Sequence, residues 1–242
     1  MKITAFLAAL AAFAVLPLQA QVNPESIKAE LHKKLPEAHV QSVRKTPYGN
    51  LYEVVSDGEI FYTDDRASFI SLGPIVDLNT KENVTETRLR QVNAVDFKAL
   101  PFADAIKIVR GNGSRKIALF EDPNCGYCKR FERDFQGVTD ITAYVFLYPI
   151  LAADSYTKSK AIWCAPDPAK AWIDTMVHDR LPAKDGTCST PLDKNVAFGQ
   201  EKRIHGTPTL IFEDGQRLPG AISMAELEKR FREAKANLAS AK

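Results

Sequence analysis

Two cysteines, Cys125 and Cys128, stand where a strand-like run gives way to a helix-like one. Lys116 to Phe120 reads as a strand and runs into Asp122-Pro123-Asn124-Cys125. Phe131 and Phe135 then fall four apart, as on a buried helix face. A cysteine at that junction lies over the helix N-terminus, where unpaired N–H groups and the helix dipole favour an anion. The thiolate is the nucleophilic form, and such positions bring a cysteine pKa below about 8.5. Lys129 and Arg130 are expected to add positive charge nearby. Cys125 therefore reads as the nucleophile. Cys128, one turn further in and more buried, reads as the resolving thiol.

Two rival readings of the pair exist. Half a zinc site needs a second ligand pair. The other two cysteines, Cys164 and Cys188, lie 24 positions apart, and none of His32, His39, His178 or His205 forms a paired motif with them. A purely structural short-loop disulfide is the second rival. Redox catalysis is the favoured reading, and neither a metal nor another cofactor is expected.

The surroundings of the motif point to a layered α/β structure. Ile106 to Val109 is a strand candidate before it. After it come Ala143 to Leu147, a strand pattern buried on both faces, and a helical block over residues 155–204. Asp167-Pro168 and Thr190-Pro191 read as helix starts within that block. Thr209 to Phe212 is another strand, Asp214-Gly215 a turn, and Ser223 with Glu226 a capping box for a last helix. Strand–helix–strand alternation implies a central sheet with helices packed on it.

The N-terminal part differs. Lys2 followed by an apolar run from Ile3 to Leu16, then Ala20, reads as a secretory signal peptide over residues 1–20. The run is shorter than the about 20 apolar residues that a membrane span needs. Export places the chain where disulfides persist. Residues 21–82 read as a small domain: a helix opened by Asn23-Pro24 and carrying Ile27, Leu31 and Leu35, then an antiparallel meander. Ser56-Asp57-Gly58 joins the strands Leu51–Val55 and Glu59–Thr63 as a hairpin. So small a domain buries little surface by itself and is a candidate for self-association. Residues 83–100 read as a solvated linker helix capped by Asn83, and residues 101–242 as the second domain, with a helical insert over about 150–204. The net charge of +2 and the absence of a long basic run exclude nucleic acid as an expected partner.

Four further features bear on the chemistry. Cys164 and Cys188 flank a helical stretch and read first as a structural bridge, with a redox relay as the alternative; four cysteines allow three pairings. Thr207-Pro208 opens a strand and reads either as a strand-edge proline or as a cis-proline loop facing the motif. His205 reads as a loop or core residue before a base. Asp122 reads as a cap or a solvent contact, with a water-mediated proton acceptor for Cys128 as the alternative.

Taken together, Cys125-Gly126-Tyr127-Cys128, Thr207-Pro208 before a strand and the Cys164/Cys188 pair are similar to the pattern of the DsbC-type periplasmic disulfide isomerases and their DsbG relatives. The resemblance spans essentially the mature chain. Gly-Tyr between the cysteines resembles the isomerase branch, whereas DsbG relatives usually carry Pro-Tyr. Pro123 before the motif departs from the expected pattern. The resemblance implies a small N-terminal antiparallel-sheet dimerisation domain, a linker helix and a C-terminal thioredoxin-like domain, an α+β and α/β combination. It also implies a V-shaped homodimer in the periplasm, a cis Thr207–Pro208 bond and a Cys125–Cys128 pair kept reduced by a DsbD-type membrane thiol reductase. The implied clients are misfolded disulfide-containing secreted proteins, gripped near Gly126, Tyr127, Thr207 and Pro208. A dimeric holdase chaperone with secondary redox activity is the alternative function.

Overall fold

The computed structural model describes residues 23–183 and 186–240. The expected leader, residues 1–20, lies outside the described residues. The chain separates into two compact units, one ending at Gly73 and the other beginning at Pro74.

In the first unit, α1 spans Pro24–Lys34; Asn23 caps it by accepting the Glu25 N–H. Three strands follow, β1 (Val40–Lys45), β2 (Tyr52–Ser56) and β3 (Glu59–Thr63), in one antiparallel sheet ordered β1-β2-β3. Asp57 and Gly58 both take positive φ, at 53° and 81°, as a two-residue hairpin with the twist of its strands requires. Ile27 and Leu31 from the helix pack with Tyr52, Val54 and Phe61 from the sheet. Burying each of these two helix side chains contributes about 2 kcal/mol. Strand β1 has no clear sequence signal. Its only apolar residues, Val40 and Val43, are three apart, which in a regular strand puts them on opposite faces; an irregularity in the pairing with β2 between Val40 and Ser42 lets both pack against the same core.

The second unit opens with a segment that folds back on itself. Val84 N–H donates to Ile75 O and Asp77 N–H to Glu82 O, leading into α2, Val84–Val92. Asn83 caps α2 as expected, accepting the Glu86 N–H. The expected linker helix over 83–100 is corrected here, because α2 stops at Val92. Asp96 accepts the Lys98 N–H and turns the chain into a short 3-10 segment, Phe97–Ala99. Val95, Phe97 and Leu100 are then buried against Phe120, Phe146 and Tyr148, so residues 95–100 belong to a core and not to a solvated linker.

A five-stranded sheet follows, ordered β4-β6-β5-β7-β8. Its strands are β4 (Ile106–Arg110), β5 (Arg115–Glu121), β6 (Ile141–Leu147), β7 (Thr209–Phe212) and β8 (Arg217–Pro219). Only β5 and β6 run parallel, joined by α3 (Gly126–Phe135) as a crossover. The central strand β5 is thereby covered on both faces, and Ile117 to Glu121 are all buried. Helices α4 (Ser155–Trp163), α5 (Pro168–His178) and α6 (Leu192–Glu201) form the insert between β6 and β7. Cys164 ends α4 and is bonded to Cys188, so the bridge spans α5. The last helix, α7, covers Met224–Ser240 and buries Leu227 and Phe231. No helix among the described residues is long and apolar enough to cross a membrane.

Candidate active site

Strand β5 delivers the chain to the motif, and α3 begins at it. Cys125 is the residue that caps α3. Its sulfur accepts the Cys128 N–H at 3.1 Å, an unpaired donor of the first helical turn. The same sulfur lies 3.3 Å from Thr207 O. The Thr207–Pro208 bond is cis, and Pro208 leads into β7 beside β5, which brings this loop over the motif. Cys125 keeps 3% of its surface exposed and Cys128 none.

The two sulfurs are poised in opposite directions. Cys125 is held down to about 6, first by the Cys128 thiol, against the cost of burial, then by Thr207 and by the N–H groups of Cys128 and Tyr127. Burial pushes the Cys128 thiol far up, and its hydrogen bond to Cys125 adds to this. The two thiols thus behave as one acidic, one proton-holding pair. The expected help from Lys129 is corrected by the structure. Its ammonium pairs with Asp179 at 2.5 Å, beyond the end of α5, and local hydrogen bonds set the acidity of Cys125 instead.

The cap or solvent contact expected of Asp122 is corrected by the structure, because Cys125 caps α3 and Asp122 ties loops together out of contact with solvent. It is wholly buried, and its carboxylate accepts from Asn124 N (2.8 Å), Ile150 N (2.8 Å), Leu151 N (2.9 Å) and Ser155 Oγ (2.8 Å). The Asp122 carbonyl accepts the Cys125 N–H at 2.9 Å. One residue therefore pins the turn before Cys125 to the β6–α4 connection. Asn124 continues the tie, donating to Asp154 Oδ1 and Ser155 Oγ while accepting from Lys158.

The acid that faces Cys128 is its neighbour in sequence, Glu121, which sequence reasoning missed. Glu121 is fully buried, and neither of its oxygens meets an N–H or O–H donor. It faces the Cys128 sulfur and the carboxyl of Glu132 instead, and burial followed by Glu132 holds it well above the usual carboxylate range. The signal that could have found it is a carboxylate placed directly after the apolar run Ile117 to Phe120.

The other named residues fall around this centre. Tyr127 is 71% exposed, and a Cβ added at Gly126 would meet no heavy atom within 4 Å. His205 is exposed in the loop before Thr207. Cys164 and Cys188 are bonded to each other, leaving Cys125 and Cys128 as the free thiols. No group of three or more His, Cys, Asp or Glu among the described residues is placed to hold a metal ion.

Comparison with known proteins agrees with this architecture. The family model described as a thioredoxin-like domain matches residues 102–235, and that of the disulfide bond isomerase protein N-terminal domain matches residues 18–86. The chain is 42% identical over 207 residues to the probable thiol:disulfide interchange protein DsbC of Bordetella pertussis, covering 86% of this chain and 74% of that one. It is 26% identical over 196 residues to the thiol:disulfide interchange protein DsbC of Escherichia coli, covering 77% and 79%. Among solved structures, a disulfide interchange protein from Neisseria gonorrhoeae matches with a TM-score of 0.54 at 40% identity, over 56% of this chain and 98% of that chain.

Proposed function

Because the chain belongs to the DsbC family of thiol:disulfide interchange proteins, we propose that Cys125 and Cys128 carry its exchange chemistry and that its clients are wrongly bridged exported proteins. The chain is a thiol–disulfide oxidoreductase on a thioredoxin fold. The observation that carries the residue assignment is the opposed poise of the two sulfurs, one acidic at the mouth of α3 and one buried with its proton held.

The Cys125 thiolate attacks one sulfur of a client disulfide, forming a mixed disulfide and releasing the other client sulfur as a thiolate. A second client thiol attacking that bond returns Cys125 and leaves the client isomerised. Alternatively Cys128 loses its proton and attacks Cys125 Sγ, which releases a reduced client and leaves a Cys125–Cys128 disulfide. Cys128 is sealed from solvent, so its proton is exchanged inside the protein, and Glu121 is the group that faces it. Gly126, Tyr127, Thr207 and Pro208 line the approach to Cys125. Backbone contacts there read main chain and suit varied clients. Cys164–Cys188 serves as the structural bridge of the insert.

In this reading the protein works in the periplasm as a homodimer joined through its N-terminal unit, and a DsbD-type membrane reductase returns Cys125–Cys128 to the dithiol. A holdase function draws support from the exposed Tyr127, Leu151 and Tyr156 on segments that meet at the motif. Aggregation suppression by a Cys125→Ala/Cys128→Ala double variant tests it. The main test is refolding of a scrambled multi-disulfide protein by the reduced enzyme. Cys125→Ser is expected to abolish it, and retained refolding in that variant removes the assignment.

A further inference from the structure

The acid beneath Cys128 has a partner. Glu132 lies four residues beyond Cys128 on α3, hence on the same helical face, and is buried. Its Oε1 accepts the Trp172 Nε1–H at 3.0 Å, from α5 of the insert. Arg110 of β4, whose guanidinium sits 4.4 Å over the Phe135 ring, adds a favourable positive field at Glu132. Glu121, by contrast, is offered no N–H or O–H donor. Two facing carboxyls in such unequal surroundings sort their protons. The one with a donor and a cation nearby holds the charge, and the one without them holds the proton.

We propose that Glu121 and Glu132 form a one-proton carboxyl pair beneath Cys128, in which Glu132 is a positioning residue. Held by Trp172, it carries the negative charge that keeps Glu121 protonated at neutral pH. The titratable groups facing Glu121 are Glu132, Cys125 and Cys128, all from α3 or its cap; β6 presents Leu147 beside it and β4 presents Arg110 to Glu132.

This rests on the assignment of Cys125 and Cys128 above and adds a proton donor to it. When an incoming thiolate attacks Cys125 in the Cys125–Cys128 disulfide, a bond forms between the reductant sulfur and Cys125. The Cys125–Cys128 bond breaks and its electron pair goes to Cys128 Sγ. That sulfur takes the proton of Glu121, and the pair regains one from solvent. A second thiolate of the reductant then frees Cys125, so the disulfide gains two electrons and the dithiol loses two.

The test is the pH profile for opening of the Cys125–Cys128 disulfide in the full mature chain by dithiothreitol, with rates expressed per reductant thiolate. In the wild type the rate holds through neutral pH and falls as Glu121 ionises. Glu132→Gln removes the like charge, so Glu121 ionises at lower pH. The descending limb is expected to move down by about one pH unit, about tenfold in rate on its alkaline side. Glu132→Asp, which keeps the charge, returns the limb toward the wild-type position. A purely structural role for Glu132 would lower thermal stability and leave the limb in place. Infrared detection of the protonated buried carboxyl gives a second readout. That band is expected at neutral pH in the wild type, absent in Glu121→Gln and lost at lower pH in Glu132→Gln. Superimposed profiles and bands for wild type and Glu132→Gln overturn the pair alone. A wild type that forms no Cys125–Cys128 disulfide overturns the assignment beneath it.

Discussion

Replacing Cys128 by alanine tests how the acidity of Cys125 arises. The largest influence holding Cys125 at about 6 is the Cys128 thiol. A hydrogen bond to a charged group is worth about 1.5–3 kcal/mol, or about one to two pKa units. Cys128→Ala therefore moves Cys125 up to about 7–8, because the backbone N–H of residue 128 and Thr207 remain. A thiol with a lowered pKa is charged above that value and loses its charge as pH falls through it, so the effect is greatest in acid. At pH 5 about a tenth of wild-type Cys125 is thiolate, against about a hundredth to a thousandth in the variant. Alkylation by iodoacetamide, followed by intact mass, should slow about 10–100-fold at pH 5 and stay almost unchanged at pH 9. Cys128→Ser keeps an O–H donor and should fall between the two. Coincident alkylation midpoints for wild type and Cys128→Ala, or a wild-type midpoint in the ordinary cysteine range near 8.5, would refute the reasoning.

Two further changes test the scaffold. Asp122→Ala strips four hydrogen bonds from the turn before Cys125 and should cost about 3 kcal/mol. At about 2–4 °C per kcal/mol that is a fall of about 6–12 °C in thermal midpoint, and an unshifted midpoint would show that the carboxylate is not what pins the turn. Gly199→Ala introduces a better helix former, worth about 1 kcal/mol on propensity. Its Cβ, however, would come 2.4 Å from the ring of buried Tyr148, so net destabilisation by about 1–3 kcal/mol is expected in urea denaturation; a gain in stability would contradict this packing.

Features set by neighbours in sequence are legible from the residues themselves. Cys125 at the mouth of α3, the Asp57-Gly58 hairpin, Asp167 capping α5 and Ser223 capping α7 each depend on residues only a few positions apart. What escapes a sequence reading depends on distant partners. Lys129 counts as a charge near Cys125 until Asp179, fifty residues on, is found to hold it. Glu121 gains its meaning from α3 packing back over β5, which no local pattern records. Arg88, Arg90, Gln91 and Asn93 give the segment the look of a solvated linker, yet Val95, Phe97 and Leu100 just beyond them find a core made by strands further along. Strand β8, three residues ending in Pro219, is too short for any periodicity and exists because β7 offers it an edge.

The empty space beside Gly126 has an evolutionary consequence. Position 126 is the first residue inside α3, where proline and most side chains are geometrically acceptable. With no neighbour to displace, a lineage can exchange the residue between the cysteines by single mutations without repairing the interior afterwards. Retuning of thiol reactivity is thereby uncoupled from the integrity of the fold, and selection can act on the one while leaving the other undisturbed.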